Sequence, residues 1–239
     1  MDTQKVALIT GSAKGLGKAI ALHLAKKNYI VILHYLHSQE DAENTKQFIQ
    51  KDGGTAIIYQ ADINDKKSIE QMFNFVEQTF GRLDILINNI GNYLKKNVLE
   101  VTYEQWQEIM NNNLTSVFYT SKLAIELMKK HSFGRIINLG FASIGQIKAE
   151  PLITPYFIAK TGVLLLTKSM AKEVAHLGIN IHIISPGVLE NSIKKPIQDI
   201  PKARLGTFKD FCNVLDILIS EENDYLTGTH IEIAGGWRL

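Results

Sequence analysis

A tyrosine and a lysine four residues apart, Tyr156 and Lys160, open a helical stretch and so share one of its faces. A phenol titrating near about 10 is a poor acid or base at neutral pH. An ammonium beside it stabilises phenolate and draws the pKa toward the working range, so the pair could move a proton at a carbonyl oxygen. Taken alone, the spacing usually marks a surface pair. Asn113 adds independent weight. Trp106, Ile109, Met110 and Leu114 recur at helical spacing, and Asn113 falls on the buried face of the first three. A buried amide requires a partner, supplied either by backbone or by a water chain leading protons to the lysine.

A second constellation suits an anion. An apolar run passes into Gly11-Ser12-Ala13-Lys14-Gly15-Leu16-Gly17, and a helix follows at once. Glycines there let the backbone approach a pyrophosphate, which the new helix's free N–H groups hold. The second run ends at Tyr35-Leu36-His37-Ser38 with no carboxylate; Glu40 and Asp41 lie inside the next helix. An acid near this point would bond both ribose hydroxyls of NAD. Lys14, His37 and Ser38 would instead welcome a 2′-phosphate, which favours NADP(H), although Lys14 and His37 also read as solvated surface groups. Asp62-Ile63 closes the third run and Asn89-Ile90-Gly91 follows the fourth. These are turn-forming types, placed where such sheets bind cofactors.

The elements that must position these groups alternate from end to end. Strand-length runs are expected at Val6–Thr10, Ile30–Tyr35, Ala56–Gln60, Leu83–Asn88, Arg135–Gly140, Ile179–Ser185 and Thr229–Ile233. Amphipathic stretches lie between them at Gly15–Lys27, Gln39–Lys51, Lys66–Phe80, Tyr103–Lys130 and Pro155–Leu177. The pattern predicts an α/β fold, a single-domain, Rossmann-like, doubly wound parallel sheet of about seven strands with right-handed crossovers. Val188–Thr207, rich in Lys and Pro, is expected to form a mobile flap.

Composition narrows the function classes. At 239 residues the chain suits one core and one domain, 1–239. A net charge of +2 gives no nucleic-acid footprint. The single cysteine excludes an internal disulfide framework; Cys212 falls at helical spacing with Phe208, Phe211, Leu215 and Ile219 and reads as core. No signal peptide, membrane span or metal-ligand cluster is expected, so a cytoplasmic setting is the default.

As a set, Thr10–Gly17, Asn88–Gly91, Asn113, Tyr156–Lys160, Pro186-Gly187 and the stretch from Tyr225 to Trp237 resemble the short-chain dehydrogenases/reductases over essentially the whole chain. The resemblance implies seven strands, hydride transfer from nicotinamide, and a homotetramer or homodimer. It makes Tyr156 the acid for carbonyl reduction, Lys160 its pKa-lowering and ribose-binding partner, and Asn113 part of the proton relay. Pro186 and Gly187 would border the cofactor.

The family's serine does not match. Counting forward from the fifth strand reaches Phe141, whereas counting back from Tyr156 reaches Ser143. If the two share strand parity they point the same way, and Ser143 would orient the carbonyl; otherwise the hydroxyl is lost and Ser143 is a loop residue. Ile90 replaces a small residue and should narrow the floor beneath the nicotinamide. His182 stands for an asparagine, and Asn191-Ser192 replaces the threonine expected after Pro186-Gly187.

In length the chain resembles the 3-oxoacyl-(acyl-carrier-protein) reductase branch. That implies a small-molecule carbonyl substrate, with a carrier-bound 3-oxoacyl thioester as the leading candidate. Lys129 and Lys130 could dock a carrier, but His176-Leu177-Gly178 lacks the expected arginine. Leu33–Ser38 also resembles the pteridine reductases, which carry aspartate where this chain has Phe141. A non-catalytic NADP(H)-binding subunit is the remaining alternative.

Overall fold

A computed structural model describes residues 4–192 and 194–238. Seven parallel strands form one sheet in the order β3-β2-β1-β4-β5-β6-β7. They are β1 (Val6–Ile9), β2 (Ile30–Tyr35), β3 (Thr55–Gln60), β4 (Ile85–Asn88), β5 (Gly134–Leu139), β6 (Ile179–Pro186) and β7 (His230–Ile233). The five central strands β2, β1, β4, β5 and β6 are almost wholly buried, as near-continuous runs of Ile, Val and Leu require when helices cover both faces.

Helices α1 (Gly15–Lys26), α2 (Gln39–Lys51) and α7 (Phe208–Ile219) close a core on one face, built on Ile9, Ile20, Leu33, Ile137 and Phe211. Cys212 packs in this layer as expected. On the other face α3 (Lys66–Phe80), α5 (Ser116–Met128) and α6 (Thr154–Val174) enclose Leu8, Ile32, Met72, Leu86, Ile136 and Ile181. The strand order reverses beside β1, where β1 pairs with both β2 and β4. In sheets of this order the ligand crevice lies at the carboxyl ends beside that reversal.

The expected helix over Tyr103–Lys130 is two helices. Between α4 (Tyr103–Met110) and α5 lies one π turn, Asn111–Thr115, in which Ser116 N–H reaches back five residues to Asn111 O. Such turns insert one residue and frequently mark functional sites. Asn113 sits inside it, and its Nδ2 donates to Ile109 O at 3.0 Å. Val188–Thr207 is largely irregular but pinned by a bridge between Leu189 and Gly206; Ile193 lies outside the described residues.

Candidate active site

The glycine turn is built from within. Gly11 N–H donates to His34 Nδ1 at 3.1 Å and Ser12 N–H to His34 O at 3.0 Å. With Nδ1 accepting, Nε2 carries the proton and donates to Ala61 O at 3.0 Å. Burial drives the His34 pKa down to about 4, so the ring is neutral and its tautomer fixed. Ser12 is buried and donates its hydroxyl to Ile9 O, so it holds the turn rather than lining it. Gly17 lies so close to Gly11 O that a Cβ would collide, and it would come within 2.7 Å of Asn89 Nδ2. Lys14, Gly15, Leu16 and Gly17 open α1 with no side-chain cap and no acid in the first turn. The free N–H groups and positive helix end there suit a pyrophosphate.

The end of β4 is tied to this turn. Asn89 donates from its backbone to Thr10 Oγ1 (2.9 Å) and from Nδ2 to Thr10 O and Gly11 O (both 3.0 Å). Ile90 packs on Gly11, where a Cβ would come within 2.7 Å of its Cγ1. Along the neighbouring edge, Ile63 is buried and the half-buried Asp62 accepts from Asn64 N–H. Ser38 precedes α2 with no capping hydrogen bond, leaving its hydroxyl uncommitted by the helix. Among the described residues, exposed Lys14 and His37 make no ion pair. Pro186 and Gly187 end β6 against β7, with Gly187 N–H donating to Ile233 O at 2.9 Å.

Beyond Gly91 the acid-base groups converge. A Cβ on Gly91 would run into Asn113 Oδ1 and stand 3.1 Å from Lys160 Nζ, so glycine is what lets the two approach. Asn113 Nδ2 donates to Asn92 O and Asn92 Oδ1, each at 3.0 Å, while its Oδ1 is buried without a partner. Lys160 Nζ donates to Leu139 O at 2.9 Å and stands 5.8 Å from the Tyr156 ring centre. Burial lowers its pKa to about 8. The Tyr156 phenol is pushed up from its ordinary value by burial and by Tyr93. The expected lowering by Lys160 is therefore not what the fold alone provides: the ammonium is itself desolvated and hydrogen-bonds a carbonyl. The phenol is held protonated, the form that donates to a carbonyl oxygen.

Position 141 is aromatic in fact as well as in sequence. The Phe141 ring meets Tyr156 edge-on at 5.5 Å, and Tyr93 meets Tyr156 at 5.1 Å. Phe141 also touches Trp237 at 6.1 Å. Shared parity with Ser143 fails, because β5 ends at Leu139 and the chain turns through Ser143 in left-handed conformation (φ 73°). Ser143 is fully buried, Phe141 only half-buried. Ser143 Oγ has no hydrogen-bond partner among the described residues, and its N–H donates to Glu232 Oε1 at 3.1 Å. Of the replacements near β6, His182 is buried with both ring nitrogens unpartnered, and a Cβ on Gly15 would stand 3.2 Å from Asn191 Nδ2.

Sequence reasoning placed Tyr93 at the start of a pocket-lining segment and His34 and Trp237 within family-like stretches, but gave no individual role to these three or to Asn92 and Arg238. A histidine in an otherwise apolar strand was a usable signal for His34. The others depend on long-range packing.

A family model for short chain dehydrogenases matches residues 5–201. The 3-oxoacyl-[acyl-carrier-protein] reductase FabG of Haemophilus influenzae is 36% identical, with 98% of each chain covered. Glucose 1-dehydrogenase 2 of Bacillus subtilis is 30% identical over 99% of this chain and 96% of the relative. Among solved structures, a Sinorhizobium meliloti 1021 protein assigned to the short-chain alcohol dehydrogenases superposes with a TM-score of 0.90 at 27% identity, covering 98% of this chain and 96% of the other. The chain is an oxidoreductase belonging to the short-chain dehydrogenase family.

Proposed function

We propose that the chain reduces a carbonyl compound to an alcohol with NADPH, Tyr156 acting as general acid. The observation that carries this is the meeting, beside Gly91, of the buried Lys160 ammonium and the unpartnered Asn113 Oδ1. A protonated phenol one helical turn from that ammonium gives the carbonyl oxygen its proton. NADPH would supply the hydride. Gly11, Gly15, Leu16 and Gly17 would hold its pyrophosphate, while Lys14, His37 and Ser38 would take the 2′-phosphate. Asp62, Ile63, Asn89, Ile90 and Gly91 would border the adenine and nicotinamide ends, with Pro186 and Gly187 opposite. Lys160 would bond the ribose, and Asn113 would relay protons to it. Ser143, fully buried in the turn two residues beyond Phe141, would shape that turn rather than present its hydroxyl to the substrate. Preference for NADPH rests on the absence of an acid at the end of β2, since Glu40 and Asp41 are exposed in α2.

The relatives' names make a carrier-bound 3-oxoacyl thioester the first substrate class to test. Lys129 and Lys130, the cations available for docking a carrier, are already paired with Glu126 and Glu77. Assembly as a homotetramer or homodimer is supported by Phe118 on α5 and Ile158 and Leu165 on α6, which are exposed. No described helix is long and apolar enough to cross a membrane.

NADPH oxidation with an acetoacetyl thioester and a ketone panel, run beside NADPH and NADH binding, tests the reading. Turnover with NADPH preferred supports it. Tight NADPH binding with no turnover on any carbonyl replaces it with a cofactor-binding subunit.

A further inference from the structure

The face of Tyr156 where a substrate carbonyl must arrive is lined by rings. Tyr93 and Phe141 flank Tyr156 edge-on at 5.1 and 5.5 Å, and Trp237 continues the wall from Phe141 at 6.1 Å. Tyr93 remains 56% exposed, and Phe141 and Trp237 are half-buried, so part of each ring is reachable from solvent. The Arg238 guanidinium covers this wall, 5.4 Å from the Phe141 ring centre and 5.1 Å from that of Trp237. Its charge is answered by Glu150 at 2.7 Å. Two consequences follow. Aromatic walls favour a flat aromatic partner in offset-stacked or edge-on contact, at about three- to tenfold in affinity per ring. With phenylalanine at position 141, that position donates no second hydrogen bond to the developing oxyanion, a loss of about 10²–10³ in rate for an ordinary ketone. A substrate ring held against the wall would recover part of that loss through contact.

We propose that the aromatic wall formed by Tyr93, Phe141 and Trp237 selects a neutral carbonyl compound that carries an aromatic ring next to its C=O. The assignment rests on the carbonyl-reductase reading above and narrows its substrate. In the reaction the carbonyl carbon gains a hydride from NADPH, the C=O π pair goes to oxygen, and oxygen takes the Tyr156 proton. The products are NADP⁺ and a benzylic alcohol, and the ring is unchanged.

The test compares α-tetralone, the saturated decalone of similar size, and an acetoacetyl thioester as substrates for NADPH oxidation. We expect kcat/KM for α-tetralone to exceed that for decalone by about tenfold or more. Phe141→Leu and Trp237→Leu should each lower that ratio about three- to tenfold. In a Trp106→Phe background, α-tetralone should quench Trp237 fluorescence saturably, a readout that needs no turnover, whereas decalone should not. A ratio at or below one, a ratio unmoved by either variant, or a thioester preferred over α-tetralone would overturn this role for the wall. Absence of turnover on all three substrates would count against the reductase reading, and the quenching titration would then decide the wall's role alone.

Discussion

Lys160 is a group the fold holds at its own expense, and removing its charge should show how much. The ammonium is buried and its pKa falls from 10.5 to about 8 through desolvation. At roughly 1.4 kcal/mol per tenfold change in proton affinity, the fall from 10.5 to about 8 corresponds to ~3 kcal/mol of destabilisation at pH 7. Lys160→Met keeps the stem and removes the charge, but leaves Leu139 O without its donor, a loss of about 1–3 kcal/mol. The variant should therefore be as stable as the parent or more so at pH 7. The pH dependence isolates the ammonium. Between about pH 8 and 10.5 the unfolded chain binds the lysine proton and the folded chain does not, so wild-type stability rises with pH across that window. Lys160→Met lacks this contribution, so the advantage of the variant should shrink by about 2 kcal/mol between pH 7.5 and 9.5. Urea unfolding of the cofactor-free protein at the two pH values measures it. A stability difference that does not move with pH would refute the reasoning. The same substitution should cost at least about 10² in turnover, the trade expected where a site is built from a desolvated charge.

Four further outcomes are expected. Tyr156→Phe should lose at least about 10² in NADPH oxidation while its NADPH Kd, read by fluorescence titration, stays within about threefold. Because burial keeps the Tyr156 phenol protonated, alcohol oxidation by the parent should climb steeply between pH 7 and 9; a flat profile would contradict this. Gly17→Ala should weaken NADPH binding at least about tenfold in the same titration, since the new Cβ meets Gly11 O and Asn89 Nδ2. His34, depressed to about 4, contributes stability that is complete above pH 6.5 and lost as pH falls toward 4, where the unfolded chain binds the proton first. Urea midpoints over that range should fall less for His34→Gln than for the parent.

How much of this was legible in the sequence depends on distance along the chain. All seven strands were expected, six of them with limits within one residue, and the five central ones read as apolar runs because burial on both faces leaves little room for polar side chains. β4 is the outlier, starting at Ile85 rather than Leu83. The glycine turn and the Asn113, Tyr156 and Lys160 set were legible because each is a local pattern. The π turn was not: one inserted residue leaves the apolar periodicity nearly intact, and only the run Asn111-Asn112-Asn113, poor helix formers, hinted at it. Counting from β5 located Phe141 beside Tyr156 correctly. The parity argument for Ser143 misled because alternation ends with the strand at Leu139. Trp237 and Arg238 reach Phe141 across almost a hundred residues of chain, and no local pattern encodes such a meeting.

The π turn makes the two helices on either side of it a pair of gears meshed one tooth out of step. Each helical residue advances the face by about 100°. The extra residue lets α4 aim Ile109 and Asn113 at the site while α5 aims Val117, Thr120, Ala124 and Leu127 at the sheet. Deleting any one residue of 111–115 would bring the gears into step, and one of the two faces would have to turn away from its target. Loss of function by that route would leave Tyr156 and Lys160 in place, so a descendant of this chain could keep its whole signature and still be silent.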